Sequence, residues 1–442
     1  MQRKLSIVPF IVLAGIAVLG VIMPSVPNPT PEALEAMKNI NSGDTAWLLM
    51  GSAMVLLMTP GLAYFYGGMV GSKNVISTML QSFIAMAVIS ILWVVVGFSL
   101  AFGTSIGGFI GDPTTFMMFK GVLDGAPWSL APTIPLAVFA LFQLKFAIIT
   151  PALITGAFAE RIRFTSYILF IVLFSILIYA PLAHWTWHPE GFLFKMGVLD
   201  FAGGTVVHMS AGWAALAAAI YMKGRKSAEH KPANVPFVLL GTGLLWFGWF
   251  GFNAGSALGA GNLAATAFGT TNTASAAAAL AWIFFDSIKG KKPSALGACI
   301  GAVVGLVAIT PAAGFVTIPH SIMIGFVASL VSNIVVDWRA KTSLDDTLDV
   351  FPCHGVGGMV GMIMTGVFAC VAVNAANTTG NGLAFGETTL FFTHMKALVI
   401  VSVFAFGGSF VLLKLTDLIS PLRVTPEEEM EGLDLSQHGE TV

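Results

Sequence analysis

Charge is scarce in this sequence: Asp, Glu, Lys and Arg make up 10% of its 442 residues, against about 25% in soluble domains. A water-soluble chain of that length could not cover its surface with so few ionised groups. The net charge of −1 leaves no basic footprint for a phosphate backbone, which excludes a nucleic-acid partner. Cysteine is scarcer still. Cys299, Cys353 and Cys370 are odd in number, lie in apolar stretches, and fit neither a zinc-site nor a disulfide spacing. They read as small core residues, so neither a metal nor a cofactor is expected. Apolar residues fill the sequence instead: 56% are hydrophobic and the mean hydropathy is +0.86. For most of this chain the solvent is a lipid bilayer.

Arg3 and Lys4 precede an apolar run from Leu5 to Met23, the layout of a signal peptide. Met23 and Pro24 crowd the place where a small-x-small cleavage site would stand, so residues 1–25 are read as a signal peptide or an uncleaved signal-anchor helix. Beyond them, runs long enough to cross a bilayer, roughly 20 residues each, recur. They lie at about 46–67, 75–103, 133–158, 164–185, 201–222, 235–258, 262–285, 295–314, 319–337, 351–373 and 392–416. Gly, Pro and charge punctuate them, as loops should. The expected fold is an all-α polytopic membrane protein with eleven transmembrane helices. One domain spans 42–417, and a polar tail runs over 418–442.

Basic residues give the orientation. Thirteen stand in the loops after every odd-numbered run and in the tail, among them Lys73, Arg161, Arg163, Lys223, Lys231, Lys289, Lys292, Arg339 and Arg423. The opposite side has three, Lys38, Lys120 and Lys195. Positive residues stay inside, so the first core helix starts outside and the tail is cytoplasmic. The expected location is the cell (plasma or inner) membrane.

An internal repeat follows. Asp200 precedes His208 by eight residues (208 − 200), and Asp346 precedes His354 by the same interval (354 − 346). Small residues follow both histidines closely, Ser210-Ala-Gly and Gly355-Val-Gly-Gly. Two units of five helices each, about 46–222 and 235–373, have opposite orientations because five is odd; the last helix, about 392–416, stands outside both. That is the inverted-repeat construction of many transporters, with the path at the repeat interface.

An ionisable group inside a span costs roughly 2.5–3.5 kcal/mol or more and is a functional candidate by default. His208 and His354 lead, because a neutral imidazole both donates and accepts a hydrogen bond. The alternative is a pair of buried histidines bonded to backbone. Asp200, beside Gly203 and Gly204, can cap a helix amino end or take part in handling a cation; Asp346 reads mainly as a cap. Aromatics form the second constellation: Phe142 and Phe146, Trp185 and Trp187, and the run Trp246 to Phe252. Such residues are often an interfacial belt, the default for Trp185, or they hold a cation by the ring face, worth about 0.5–2 kcal/mol. Composition does not choose between these.

The residues themselves resemble the ammonium transporter (Amt/MEP/Rh) family, prokaryotic Amt branch. The stretches that carry the likeness are Pro60 to Gly68, Thr155 to Phe164, Asp200 to His208, Gly248 to Ser256, Asp349 to Gly355, and the tail from Leu422 to Glu440. The resemblance implies a homotrimer with one pore per subunit, carrying ammonium, ammonia and methylammonium. By motif, Trp187, Phe146 and Ser256 would recruit the ion with Asp200 just beneath. Phe146 and Phe252 would form the gate, and His208 and His354 would line the pore; Asp346 and Asp349 would be structural. The tail residues Arg423, Glu428, Gly432, Asp434 and His438 would regulate, forming with the basic loops a dock for a PII-type (GlnK-like) protein.

Lys145, beside Phe146, departs from the family pattern. Neighbouring helix positions point about 100° apart, so Lys145 is expected to face away from the pore. Three other readings carry less weight. A receptor would carry a signalling domain, and none follows the tail in this sequence; a metal-dependent membrane enzyme would need a third ligand; and a Rh-like gas channel fits poorly with Trp187 and the tail.

Overall fold

The computed structural model describes residues 2–226 and 231–442. Part of the basic loop from Lys223 to Lys231 therefore lies outside the described residues. Helices dominate, and they begin where the local chemistry provides caps. Helix α1 (Gln2–Ile22) is followed by an extended link in which the Ser25 hydroxyl donates to the carbonyl of Met118 at 2.8 Å. Helix α2 (Ser42–Met69) starts at Asn41, whose side-chain oxygen accepts from the N–H groups of Gly43 and Asp44. Such a cap satisfies donors that the first turn leaves open.

The chain continues through α3 (Val75–Phe102), α4 (Leu136–Phe158), α5 (Phe164–Lys195), α6 (Gly204–Met222) and α7 (Val235–Gly255). Then follow α8 (Asn262–Ile288), α9 (Ala295–Ile309), α10 (Ile318–Arg339), α11 (Phe351–Phe368) and α12 (Thr389–Ile419). Among the described residues nine helices are long and apolar enough to cross a membrane, judged by length and composition; the sequence reading has eleven runs. The two that fall short are α8, rich in Thr and Asn, and α9, apolar but 15 residues long. The purely helical expectation also needs one amendment. Strands β1 (Ser105–Ile106) and β2 (Ile110–Gly111) pair antiparallel around Gly107 and Gly108, both with positive φ.

Among the described residues, helices α2 and α7 share the most extensive contact. Glycines make it possible: a Cβ on Gly61 would stand 2.9 Å from that of Leu244, and one on Gly251 would stand 2.7 Å from that of Met54. Helices α6 and α11 cross at the centre. Lipid offers no hydrophobic drive between helices, so close backbone approach through small residues is how they gain packing energy.

The tail folds back on the loops of the same chain. Helix α13 (Pro426–Glu431) opens with a capping box of Thr425 and Glu428, and Pro426 stands in its first turn. Arg423 forks onto Glu429 at 2.7 and 3.1 Å and donates to the carbonyl of Met222. Arg163 pairs with Glu428 at 3.1 Å. Gly432, with φ 104, turns the chain against Lys73. Asp434 then accepts the N–H groups of Ile76 and Ser77 at 3.1 and 2.7 Å, capping α3.

Candidate functional site

A cavity of about 270 Å³ opens at the end of the helices opposite the tail. Phe146, Trp187, Asp200 and Ser256 all line it. The ring of Trp187 stands edge-on to Phe146, with centroids 5.9 Å apart and planes at 81°. Its indole N–H donates to the carbonyl of Asp200 at 3.0 Å, which fixes the ring. Ser256 donates its hydroxyl proton to the carbonyl of Phe252 at 2.8 Å. That leaves its oxygen lone pairs as acceptors beside the cavity.

Asp200 is fully engaged at the start of α6. One carboxylate oxygen accepts from Gly203 at 2.8 Å and Gly204 at 2.6 Å; the other accepts from the N–H of Thr205 at 2.8 Å and from its hydroxyl. Gly203 stands at φ 118, a conformation that favours glycine. The residue thus holds both the helix start and, through its carbonyl, Trp187.

Phe146 and Phe252 close the floor of the cavity, both buried, with ring centroids 4.3 Å apart. Beneath them His208 lies nearly parallel to Phe252, 5.9 Å away, and to Trp249, 5.3 Å away. Trp249 is anchored by its N–H to the hydroxyl of Thr310 at 2.9 Å. The rings of His208 and His354 lie 27° from parallel, and their Nδ1 atoms are 3.3 Å apart. A hydrogen bond between two Nδ1 atoms requires one of them to lack a proton, so the pair cannot be doubly protonated. Among the described residues, Nε2 of His208 is buried without a partner.

Both histidines sit in wide π-helical turns, Gly204–Met209 and Phe351–Val356. Such turns loosen the backbone ladder and often mark functional positions. Two cavities of about 10 Å³ each continue the file, the outer lined by Leu62, Leu153, Val207, Phe252, His208 and His354. The inner one is lined by Tyr66, Leu348, Cys353 and His354, among others. Each has room for about one water-sized molecule.

On the far side, Asp346 accepts the N–H of Phe351 at 2.7 Å, capping the π turn that carries His354. Burial pushes its carboxyl above the usual range. Asp349, at φ 55, makes an ion pair with Arg339 at 2.7 Å. Burial raises its pKa to about 7 against the pull of Arg339. Arg161, buried at the end of α4, donates to Ala157, Thr347 and Asp345 and so ties that helix to the Asp345–Thr347 segment. Burial lowers its pKa to about 10.

Sequence reasoning missed Gln143, whose buried side-chain oxygen has no partner and which lines the outer cavity. The available signal was a single amide in a run whose nearest other polar residue is Lys145. It also passed over Trp128 and Asn374 on the cavity wall and Thr310 behind Trp249. Lys145 is half-buried and, among the described residues, makes no hydrogen bond or ion pair. The basic loop Lys289 to Lys292 is partly neutralised within the chain, because Lys289 and Lys291 both reach Asp337 at 2.6 Å. Among the described residues no His, Cys, Asp or Glu cluster is placed to hold a metal ion.

Comparison with known proteins places these features in context. The model described as Ammonium Transporter Family matches residues 46–442. A putative ammonium transporter of Methanothermobacter thermautotrophicus is 47% identical over 91% of this chain and 98% of its own length. An ammonium transporter of Bacillus subtilis is 48% identical over 90% of this chain and 98% of its own. Among solved structures, Saccharomyces cerevisiae Mep2 superposes with a TM-score of 0.83 at 34% identity, covering 89% of each chain. A protein described as a sensor Amt protein gives a TM-score of 0.80 at 30% identity, covering 90% of this chain and 98% of that one.

Proposed function

We propose how this chain, which belongs to the Ammonium Transporter Family and is an ammonium transporter, moves its substrate. One observation carries the reading: an outer cavity, a pair of closed phenylalanines and a hydrogen-bonded histidine pair lie in file. Ammonium enters the cavity and is held by the ring of Trp187, an attraction worth about 0.5–2 kcal/mol, and by the oxygen of Ser256. Asp200 orders this site: its carbonyl fixes Trp187 and its carboxylate holds the start of α6.

Beyond the cavity the path narrows to apolar walls. A charge inside such walls costs roughly 2.5–3.5 kcal/mol or more, and no room exists for its hydration shell. Ammonium therefore gives up its proton near the recruitment site, the bare nitrogen of the histidine pair being the base that takes it, and ammonia passes when the rings of Phe146 and Phe252 part. The histidines below supply one acceptor and one donor to the passing molecule and relay the proton. Methylammonium has a proton to yield and follows the same route. Potassium has none and is rejected.

The proposal also includes eleven spans in two inverted repeats, supported by the pairing of α2 with α7 and of α6 with α11. The thirteen-to-three distribution of basic residues supports a cytoplasmic tail in a cell-membrane protein. A homotrimer and a PII-type partner rest on the family resemblance. The test is flux and current through the purified protein in liposomes, with ammonium, methylammonium and potassium compared. Ammonium and methylammonium should pass and potassium should not; equal potassium conduction would overturn the mechanism. The likeness to the sensor Amt protein favours a sensor as second reading, and absence of any ammonium flux would select it.

A further inference from the structure

Each histidine is followed four residues later by a glycine, Gly212 (208 + 4) and Gly358 (354 + 4). In the fold each of these glycines faces the other histidine's helix. A carbon added to Gly358 would stand 3.2 Å from Cβ of His208, 3.2 Å from Cγ of Met209 and 3.1 Å from the carbonyl oxygen of Gly204. One added to Gly212 would collide with the backbone of Gly355 and stand 3.0 Å from the carbonyl carbon of His354. All of these fall inside the ordinary carbon contact range of about 3.5–4.0 Å. The crossing of α6 and α11 is therefore set by two missing side chains, one on each flank of the histidine pair.

We infer that Gly212 and Gly358 are positioning residues whose bare backbones set the spacing between His208 and His354. The inference rests on the proposed role of the histidine pair in conduction. The 3.3 Å Nδ1–Nδ1 contact leaves no slack, since a hydrogen bond weakens quickly beyond that distance. A methyl group on either flank pushes one helix outward and opens the pair. The two positions differ in severity. The three atoms nearest a carbon on Gly212 are all backbone, two of them within 2.2 Å, whereas Gly358 meets in part the flexible side chain of Met209 at 3.2 Å, so Gly358→Ala is the milder change.

The experiment uses the full chain in lipid bilayers. Gly358→Ala and Gly212→Ala are compared with Gly243→Ala, where an added carbon meets nothing within 4 Å. Two quantities are read: ammonium flux, and the ¹⁵N spectrum of labelled histidines, in which the shared Nδ1 proton is assigned by its loss in His208→Ala. The expected result for Gly358→Ala is loss of the shared-proton signal and a flux reduced severalfold, since a full ångström of misplacement costs up to about 10²-fold and the added carbon calls for a few tenths of one. Gly243→Ala should keep both. Retention of the signal in Gly358→Ala, with or without reduced flux, would overturn the inference. So would failure of both glycine variants to fold, which would assign the glycines to helix packing alone. Loss of the signal with full flux would uphold the spacing role and overturn instead the reading that the histidines serve conduction.

Discussion

The Nδ1 atoms of His208 and His354 stand 3.3 Å apart between rings 27° from parallel. One ring donates and the other accepts, and this fixes the opposite edges of both. The ring that donates from Nδ1 presents a bare Nε2; the ring that accepts at Nδ1 carries its proton on Nε2. The pair thus always offers its surroundings one acceptor and one donor. A proton taken up at the bare Nε2 can be released at the far one if the shared proton shifts between the rings.

Replacing His208 and His354 together with apolar residues should abolish ammonium flux or its discrimination against potassium, while the protein stays folded. Flux with both cations in liposomes measures this. Undiminished ammonium flux with potassium still excluded would remove the pair from the mechanism.

Trp187→Leu should raise the half-saturating ammonium concentration by roughly fivefold or more, the equivalent of losing about 1 kcal/mol of ring-face attraction. Maximal flux should change less. A half-saturation value equal to the unmodified protein's would return Trp187 to the interfacial belt.

The tail should be needed to capture a PII-type protein. Full-length protein and a form ending near Ser420 would be purified from ammonium-shocked cells with the cognate PII protein present. Capture by the full chain alone is expected. Equal capture by both forms would take the tail out of the dock.

Acid should loosen the tail. His438 stacks edge-on against Phe164 and contacts the hydroxyl of Ser77 at 3.3 Å. Burial there holds its pKa below the ordinary 6.5, against the opposing pull of Asp434 and Glu440. The docked tail therefore binds the proton less readily than the free tail. Docking is at full strength above 6.5 and weakens as pH falls through that value. Limited proteolysis of the tail between pH 7.5 and 5.5 should show faster cutting at the acid end, and His438→Gln should flatten the profile.

Asp434→Ala removes the two bonds that cap α3. The expected loss is about 1 kcal/mol, read as faster tail proteolysis at neutral pH. Unchanged protection would mean that Leu433, whose N–H donates to the side chain of Asn74 at 2.9 Å, and Glu429 hold the tail without it.

Much of this was legible in the sequence, for identifiable reasons. Apolar runs broken by Gly, Pro and charge gave nearly every helix, because lipid leaves the backbone no alternative. Helix α8 escapes the hydropathy criterion since its hydroxyls turn inward: Thr271 donates to the carbonyl of Ala267 at 2.6 Å and accepts from Asn253 at 2.9 Å. The matched intervals from Asp200 to His208 and from Asp346 to His354 pointed to the centre. What spacing lacks is rotation about a helix axis. Gln143 is adjacent to Phe142 and faces the cavity, yet nothing local distinguishes it from an amide bonded to backbone. The clasp of Asp434 on Ser77 spans 357 residues, and a contact that distant has no local signature at either end.

That distance also sets an order of events during synthesis. The amino end of α3 leaves the ribosome 357 residues before the chain has reached Asp434. At about 5–20 residues per second, its cap arrives roughly 20–70 s later. Until then the N–H groups of Ile76 and Ser77 lack the partner they have in the finished molecule. A product that stops short of residue 434 never acquires it. The turn at Asp434 is thus a mark, written onto a helix made near the beginning, that separates chains that have reached it from those that stopped before it.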